Sequence, residues 1–296
     1  MIKINDILKK YNLKAKKINK QGKVTIIDTD SDSYVIKKSH LDEKILIYLK
    51  SRNFDYIPDI IDNKEYNITK FIKDFNLPKE QKMDDLIKLV TLLHSKTTHY
   101  INTNIEKNES IYNQLNNNMN YLYSYYTDQI TLAESKVFMS PSDLLFASNI
   151  TKLYELLDYN KEKLEKWHNI IKNKTKERNT VVHNNLSLDH FIRNNKSYLI
   201  NWDKSKIDSP VFDLYKLYKN EKDFNFFDLL KTYEKSYPLL EDEKLLLELL
   251  ISIPDNISFS KNEFKKCIEI NELLEKIKYL PETPKQGEKK KDKYNK

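Results

Sequence analysis

The sequence predicts an α+β protein: a small antiparallel sheet near the N-terminus, then a large and mainly helical remainder. Three observations carry this. Residues 14–38 hold two strand-like runs, Lys23 to Asp28 and Tyr34 to Lys38, joined by Asp30-Ser31-Asp32-Ser33, a turn composition. From Asp84 onward, apolar residues recur at helical spacing in one segment after another. Between residues 181 and 200 that pattern breaks. Val181-Val182 is a short apolar run, and Phe191 to Arg193 and Ser197 to Ile200 flank an Asn-Asn-Lys turn, a hairpin signal.

In chain order, strand alternation puts Val35 and Lys37 on one face. His40 to Ser51 has a helical stripe of Leu41, Ile45 and Leu49, with Glu43 off it. Ile57 to Ile61 reads as a loop and Tyr66 to Ile72 as a strand. Asp84 to Lys96 is amphipathic, with Leu86, Leu89, Val90 and Leu93 on one side. Residues 105–176 are helical and polar, and carry Tyr121, Tyr123, Tyr125 and Tyr126. These rings suit a half-buried helix face, or stacking on a ligand. Ser140-Pro141-Ser142-Asp143 can cap a helix there. Further helices are expected near 211–220, 223–236, 241–252 and 261–279, punctuated by Pro238 and Pro254.

Composition narrows the function. The 296 residues are 39% hydrophobic and 32% charged, enough for one large domain or two lobes. No run approaches the ~20 apolar residues of a spanning helix, and mean hydropathy is -0.71. The N-terminal segment lacks a signal peptide's apolar core. The single Cys267 cannot form an internal disulfide, which fits a reducing cytoplasm, the expected location. Six of the lysines behind the net charge of +7 lie in residues 285–296. A disordered Lys-rich tail over 281–296 explains them better than a nucleic-acid face, which needs clustering on a folded surface. Only Gly22 and Gly287 are glycine, which argues against a P-loop or a dinucleotide fingerprint. The six histidines show no zinc-like spacing.

One stretch carries a specific motif. His183-Asn184-Asn185 is followed by His190, then by Ile200-Asn201-Trp202-Asp203, Ser209-Pro210 and Asp213-Leu214. This order resembles the aminoglycoside phosphotransferase and choline kinase group. That family carries H-G-D-x-x-x-x-N, a hairpin, I-D-W-D/E, a G/S-x-P turn and an Asp opening a helix. The resemblance implies a two-lobed protein-kinase-like fold: a small antiparallel β N-lobe over 1–72, a helical C-lobe over 73–280, and a link near 69–74. The helices of 105–176 resemble those of the bacterial spore-coat kinase-like branch, which lie between link and catalytic loop. It implies ATP and Mg2+ as cofactors. It assigns Lys37 to the nucleotide phosphates, with Glu43 as its helix partner, though either could equally be a solvated charge. His94 matches a helix end where packing is the usual role.

The chemistry departs from the family. By resemblance, the general-base post falls on Asn185 and the metal posts on Asn201 and His190, with Asp203 as a further metal candidate. A carboxamide cannot accept a proton near neutral pH. A neutral oxygen is a weak magnesium ligand, and an imidazole nitrogen is softer than magnesium favours. By resemblance His183 braces the loop, Asp213 ties it from behind, and Trp202 packs beneath. The leading expectation is a pseudokinase acting by ligand or protein binding. The alternatives are an active small-molecule phosphotransferase that uses Asp189 or Asp203, acting on a choline, sugar or aminoglycoside hydroxyl, and a helical interaction protein docking through its Lys-rich end.

Overall fold

The computed structural model describes residues 8–11, 14–38, 41–63, 66–256 and 262–279. His40 and the expected tail over 281–296 lie outside them. The chain forms two compact units: residues 1–103 with 175–247, and residues 104–174 with 248–296.

In the first unit, β1 (Lys17–Gln21), β2 (Val24–Asp28), β3 (Ser33–Lys37), β4 (Ile60–Asn63) and β5 (Asn67–Lys70) build one antiparallel sheet. Its order is β1-β2-β3-β5-β4. Register sorts its two faces. Thr25 pairs with Ile36, and Ile36 with Ile68, so one face buries Ile27, Ile36 and Ile68 as a core. Val24 pairs with Lys37 and Ile26 with Val35, which puts these four on the other face. Gly22, at φ +59, makes the turn between β1 and β2; a Cβ there would meet no atom, so the dihedral alone favours glycine.

Two strands of this sheet escaped the sequence. All five residues of β1, Lys-Ile-Asn-Lys-Gln, are exposed. Its pairing to β2 holds it, not burial, and its lysines suit a sheet edge. β4 falls partly where a loop was expected. Pro58 precedes it, and its register against β5 shifts between Ile60 and Asp62, so no clean alternation marks it.

α1 (Glu43–Ser51) starts at Asp42, whose side chain accepts the Lys44 N–H at 2.9 Å, and it buries Ile45 and Leu49. α2 (Lys79–Thr97) begins after Pro78, ahead of the apolar pattern that marks it in sequence. It leads into β6 (His99–Asn102).

The second unit is helical. α3 (Ile105–Glu134) packs on α5 (Ile150–Lys172) and on α4 (Pro141–Ala147). The Ser140 side chain accepts the Asp143 N–H and Asp143 accepts the Ser140 N–H, a reciprocal cap on α4. Of the four tyrosines of α3, Tyr126 is buried and its hydroxyl donates to the Asp255 carbonyl at 2.9 Å. Tyr121 and Tyr123 are exposed.

Back in the first unit, β7 (Lys176–Val182) pairs with β6 and with β10 (Lys206–Asp208), in the order β10-β7-β6. Between β7 and β10 lies the hairpin β8 (Phe191–Arg193) and β9 (Ser197–Leu199). α6 (Val211–Asn220) and α7 (Phe226–Glu234) follow, and α8 (Glu241–Ser252) carries the chain into the second unit. There α9 (Glu263–Leu274) packs on α4. Among the described residues no helix is long and apolar enough to cross a membrane.

Candidate functional site

A cavity of about 230 Å³ lies against the open face of the first sheet. Val24 and Ile26 of β2, Val35 and Lys37 of β3, and Asn67 and Thr69 of β5 form one wall. Pro58, Phe71 and Ile72 close a side. Ile192 of β8, with Ile200, Asn201 and Trp202, makes the opposite wall. The lining is mainly apolar with few polar groups, the usual make-up of a small-molecule site.

That opposite wall is set by backbone ties between the hairpin and the extended segment 71–78. The Phe75 N–H donates to the Arg193 carbonyl at 2.7 Å, and the Arg193 N–H to Asp74 Oδ1 at 2.9 Å. Asn194 Nδ2 donates to the Lys73 carbonyl at 2.5 Å. Sequence reading overlooked Ile192 and Ile200 as lining residues, because only these non-local bonds bring them there.

Lys37 and Lys70 bring charge to the cavity, and Lys37 faces the opposite wall. Its Nζ donates to Asn201 Oδ1 at 2.8 Å and to Asp203 Oδ1 at 3.1 Å. Burial pushes the Asp203 carboxyl up, but the hydrogen bond and charge of Lys37 outweigh it and hold the group below the ordinary carboxylate value. The Asp203 side chain is 36% exposed, so solvent screening keeps the pair's worth within about 1 kcal/mol. Asn201 sits at φ 65, left-handed backbone that a non-glycine residue adopts most readily as Asn or Asp.

Behind this pair, the loop after β7 is held by Asp213, which is fully buried in the first turn of α6. Its carboxylate accepts the His183 N–H at 2.8 Å, the Asn184 N–H at 2.6 Å and His94 Nε2–H at 3.1 Å. His94 Nδ1 meets the Tyr233 hydroxyl at 2.7 Å. His183 is also fully buried, and its Nε2–H donates to the Ile200 carbonyl at 2.7 Å. Since a carbonyl only accepts, the proton is on Nε2, and Nδ1 is left buried without a hydrogen-bond partner. Burial lowers the His183 pKa and keeps the ring neutral. The edge of that ring meets Trp202 at 4.9 Å between centroids, and Trp202 Nε1–H donates to the Leu199 carbonyl at 2.7 Å.

The remaining candidates fall as follows. Asn184, between His183 and Asn185, has φ 56. Asn185 is half-buried, and its carbonyl accepts from His190 Nδ1 at 2.6 Å. A carbonyl only accepts, so Nδ1 of His190 carries a proton. Asp189 is exposed. Glu43 is exposed at the start of α1, and among the described residues Lys37 makes its ion pair with Asp203, not with Glu43.

No family model and no curated protein matches the chain. Solved structures do. An aminoglycoside phosphotransferase from Alicyclobacillus acidocaldarius superposes with a TM-score of 0.63 at 10% identity, over 89% of this chain and 90% of that one. Spectinomycin phosphotransferase, in its complex with ADP and spectinomycin, gives 0.50 at 17% identity over 94% and 98%. The choline kinase LicA of Streptococcus pneumoniae gives 0.50 at 14% identity over 94% and 98%. The chain has the two-lobed kinase-like fold of these phosphotransferases.

This kinase-like fold implies ATP and Mg2+, and the residues answer differently to each. The cavity's lining is compatible with a nucleoside phosphate: apolar walls suit a flat base, and the ammonium-bearing Lys37 and Lys70 both line it. Mg2+ asks for an octahedron of hard oxygens, preferably charged. Near Lys37 stand one carboxylate, Asp203, and one carboxamide, Asn201, whose oxygen already accepts from the ammonium. His190 brings only a nitrogen. Among the described residues no group of three or more His, Cys, Asp or Glu could hold a metal ion. This donor set does not fit Mg2+.

Proposed function

We propose that this protein is a pseudokinase. It holds a nucleotide in the cavity against β2, β3 and β5, transfers phosphoryl groups weakly or not at all, and acts by binding a small molecule or a protein. The lobes divide between residues 72 and 73, with 69–74 as the link. The observation that carries this reading is the partner set of Lys37: a neutral Asn201 at 2.8 Å and a single carboxylate, Asp203, at 3.1 Å.

When bound, ATP would supply a transferable phosphoryl group. Val35 and Ile26 would pack on the base, backbone groups of the link would read its edge, and Lys37 would neutralise the phosphates. Asn185, at the post of the general base, would orient a hydroxyl without taking its proton. A positioned base contributes about 10² to 10⁴ in rate, so its loss alone makes turnover slow. The neighbours named above are an aminoglycoside phosphotransferase, an ADP-bound spectinomycin phosphotransferase and a choline kinase, which supports a nucleotide here. A slow enzyme working through Asp203 is the second reading, favoured by the carboxylate that Lys37 keeps ionised.

The test pairs binding with turnover. Calorimetric titration of ATP into the full chain should give saturable binding that Lys37→Met weakens at least about tenfold, the loss of one charge-assisted contact. ADP release with a panel of hydroxyl compounds should stay at the level of denatured protein. Turnover that Asp203→Ala abolishes would replace the pseudokinase with the enzyme.

A further inference from the structure

We infer that the site takes its nucleoside phosphate free of metal, with the Lys37 ammonium standing where a bridging divalent cation would. This rests on the nucleotide-binding reading and goes further, since it names the charge state of the ligand.

The argument is a charge balance. A divalent cation is needed in a phosphate site when protein carboxylates face phosphate oxygens, because the like charges repel unless a metal lies between them. Here the nearest groups are Lys37, one positive charge, and Asp203, one negative charge, 3.1 Å apart. Asn201 adds an oxygen and no charge. The set is close to neutral before any ligand arrives, so a bare phosphate chain meets little repulsion. Lys37 can also make the contact. An ammonium has three N–H donors, two of which go to Asn201 and Asp203, and the third is left for a phosphate oxygen. The Asn201 amide oxygen and one of the two Asp203 carboxylate oxygens are turned toward Nζ. A second ammonium, Lys70, also lines the cavity, where it pairs with Asp32 at 2.7 Å.

Calorimetric titration of ATP and ADP into the full chain tests this, run in EDTA, in Mg2+ and in Mn2+ or Zn2+. The expected result is a Kd in EDTA within about threefold of that in Mg2+, with no gain from the softer cations. Asn201→Asp should restore the repulsion. Its affinity in EDTA should fall roughly tenfold, the scale of one extra like charge in a part-exposed site, and Mg2+ should recover it. Asp tolerates the left-handed backbone at 201, so the variant is expected to fold. If it does not, Asp203→Asn gives the opposite sign, with tighter binding in EDTA. Wild-type binding more than tenfold tighter in Mg2+ would overturn the inference and leave the nucleotide reading standing. Binding that needs Mn2+ or Zn2+ would overturn it too. No binding in any condition would sink the inference together with the reading beneath it.

Discussion

The carboxylate of Asp213 receives the backbone N–H of His183 at 2.8 Å. The same buried group accepts the Asn184 N–H and His94 Nε2–H, so one side chain satisfies two consecutive backbone donors of the loop and a ring on α2. Asp213→Ala strands all three. Removing one partner from a buried charged network costs about 3–5 kcal/mol, and urea unfolding should show a loss of that size. Asp213→Asn keeps the shape and one acceptor, and should cost less, about 1–3 kcal/mol. An alanine variant as stable as wild type would show that the loop is held from elsewhere.

His183 makes stability depend on pH. Burial lowers its pKa in the folded chain, and Nδ1 has no acceptor to receive a new proton. In the unfolded chain the ring titrates near about 6.5. Below that value the unfolded state binds more protons than the folded one, so stability falls with falling pH until the folded pKa is passed. Above it the contribution is fully present. The urea midpoint should therefore drop between about pH 7.5 and about pH 5.5. His183→Gln can still donate to the Ile200 carbonyl but cannot titrate, and should flatten that slope. A slope unchanged by the substitution would move the effect to another group.

These contacts divide the legible from the hidden. The fold class could be read because its signals are local: Val24 and Ile26 alternate with the buried Ile27 side of the sheet, and helices 211–220 and 241–252 carry their own apolar stripes. β7 is different. Lys-Glu-Arg-Asn-Thr carries no apolar alternation, yet Glu177, Asn179 and Thr180 are buried in a strand that pairs with β6 and β10. Arg178 pairs with Glu243 from 65 residues away, which no local pattern announces. The site divides the same way. The alternation that puts Val35 and Lys37 on one face is visible in five residues, whereas the distance from Lys37 to Glu43 depends on where α1 docks.

The chain uses asparagine where a left-handed residue is needed. Among the described residues, the three non-glycine positions with positive φ are Asn53, Asn184 and Asn201. At Asn184 the family motif carries glycine, and the dihedral of 56° gives the reason. Asn184→Gly should change stability by no more than about 0.5 kcal/mol, because the lost bond from Nδ2 to the Lys204 carbonyl is a long one at 3.2 Å. Asn184→Val should cost about 1–3 kcal/mol, since a β-branched residue strains at positive φ. Chemical denaturation of the two variants separates backbone strain from the lost side-chain bond.

Restoring the carboxylates asks whether the machinery around them is otherwise intact. On the proposed reading, Asn185 and Asn201 are the two positions where a carboxamide stands for the acid that phosphoryl transfer uses; each follows a residue held in place, Asn184 by Asp213 and Ile200 by His183. In the double variant Asn185→Asp plus Asn201→Asp, the carboxylate introduced at position 201 would compete with Asp203 for Lys37 and leave one acid able to meet Mg2+. The carboxylate introduced at position 185 would offer a proton acceptor. Mg2+ with ATP should then raise the melting temperature of the double variant more than that of wild type. ADP release in the presence of a hydroxyl acceptor should rise by about 10² or more, the contribution of a positioned base. Asn185→Asp alone should gain less, because the cation still lacks its ligand, and Asn201→Asp alone should make ATP binding depend on Mg2+ without giving turnover. If neither the melting shift nor ADP release responds to the double variant, these two posts are not the ones that were silenced, and the pseudokinase reading loses its chemical basis.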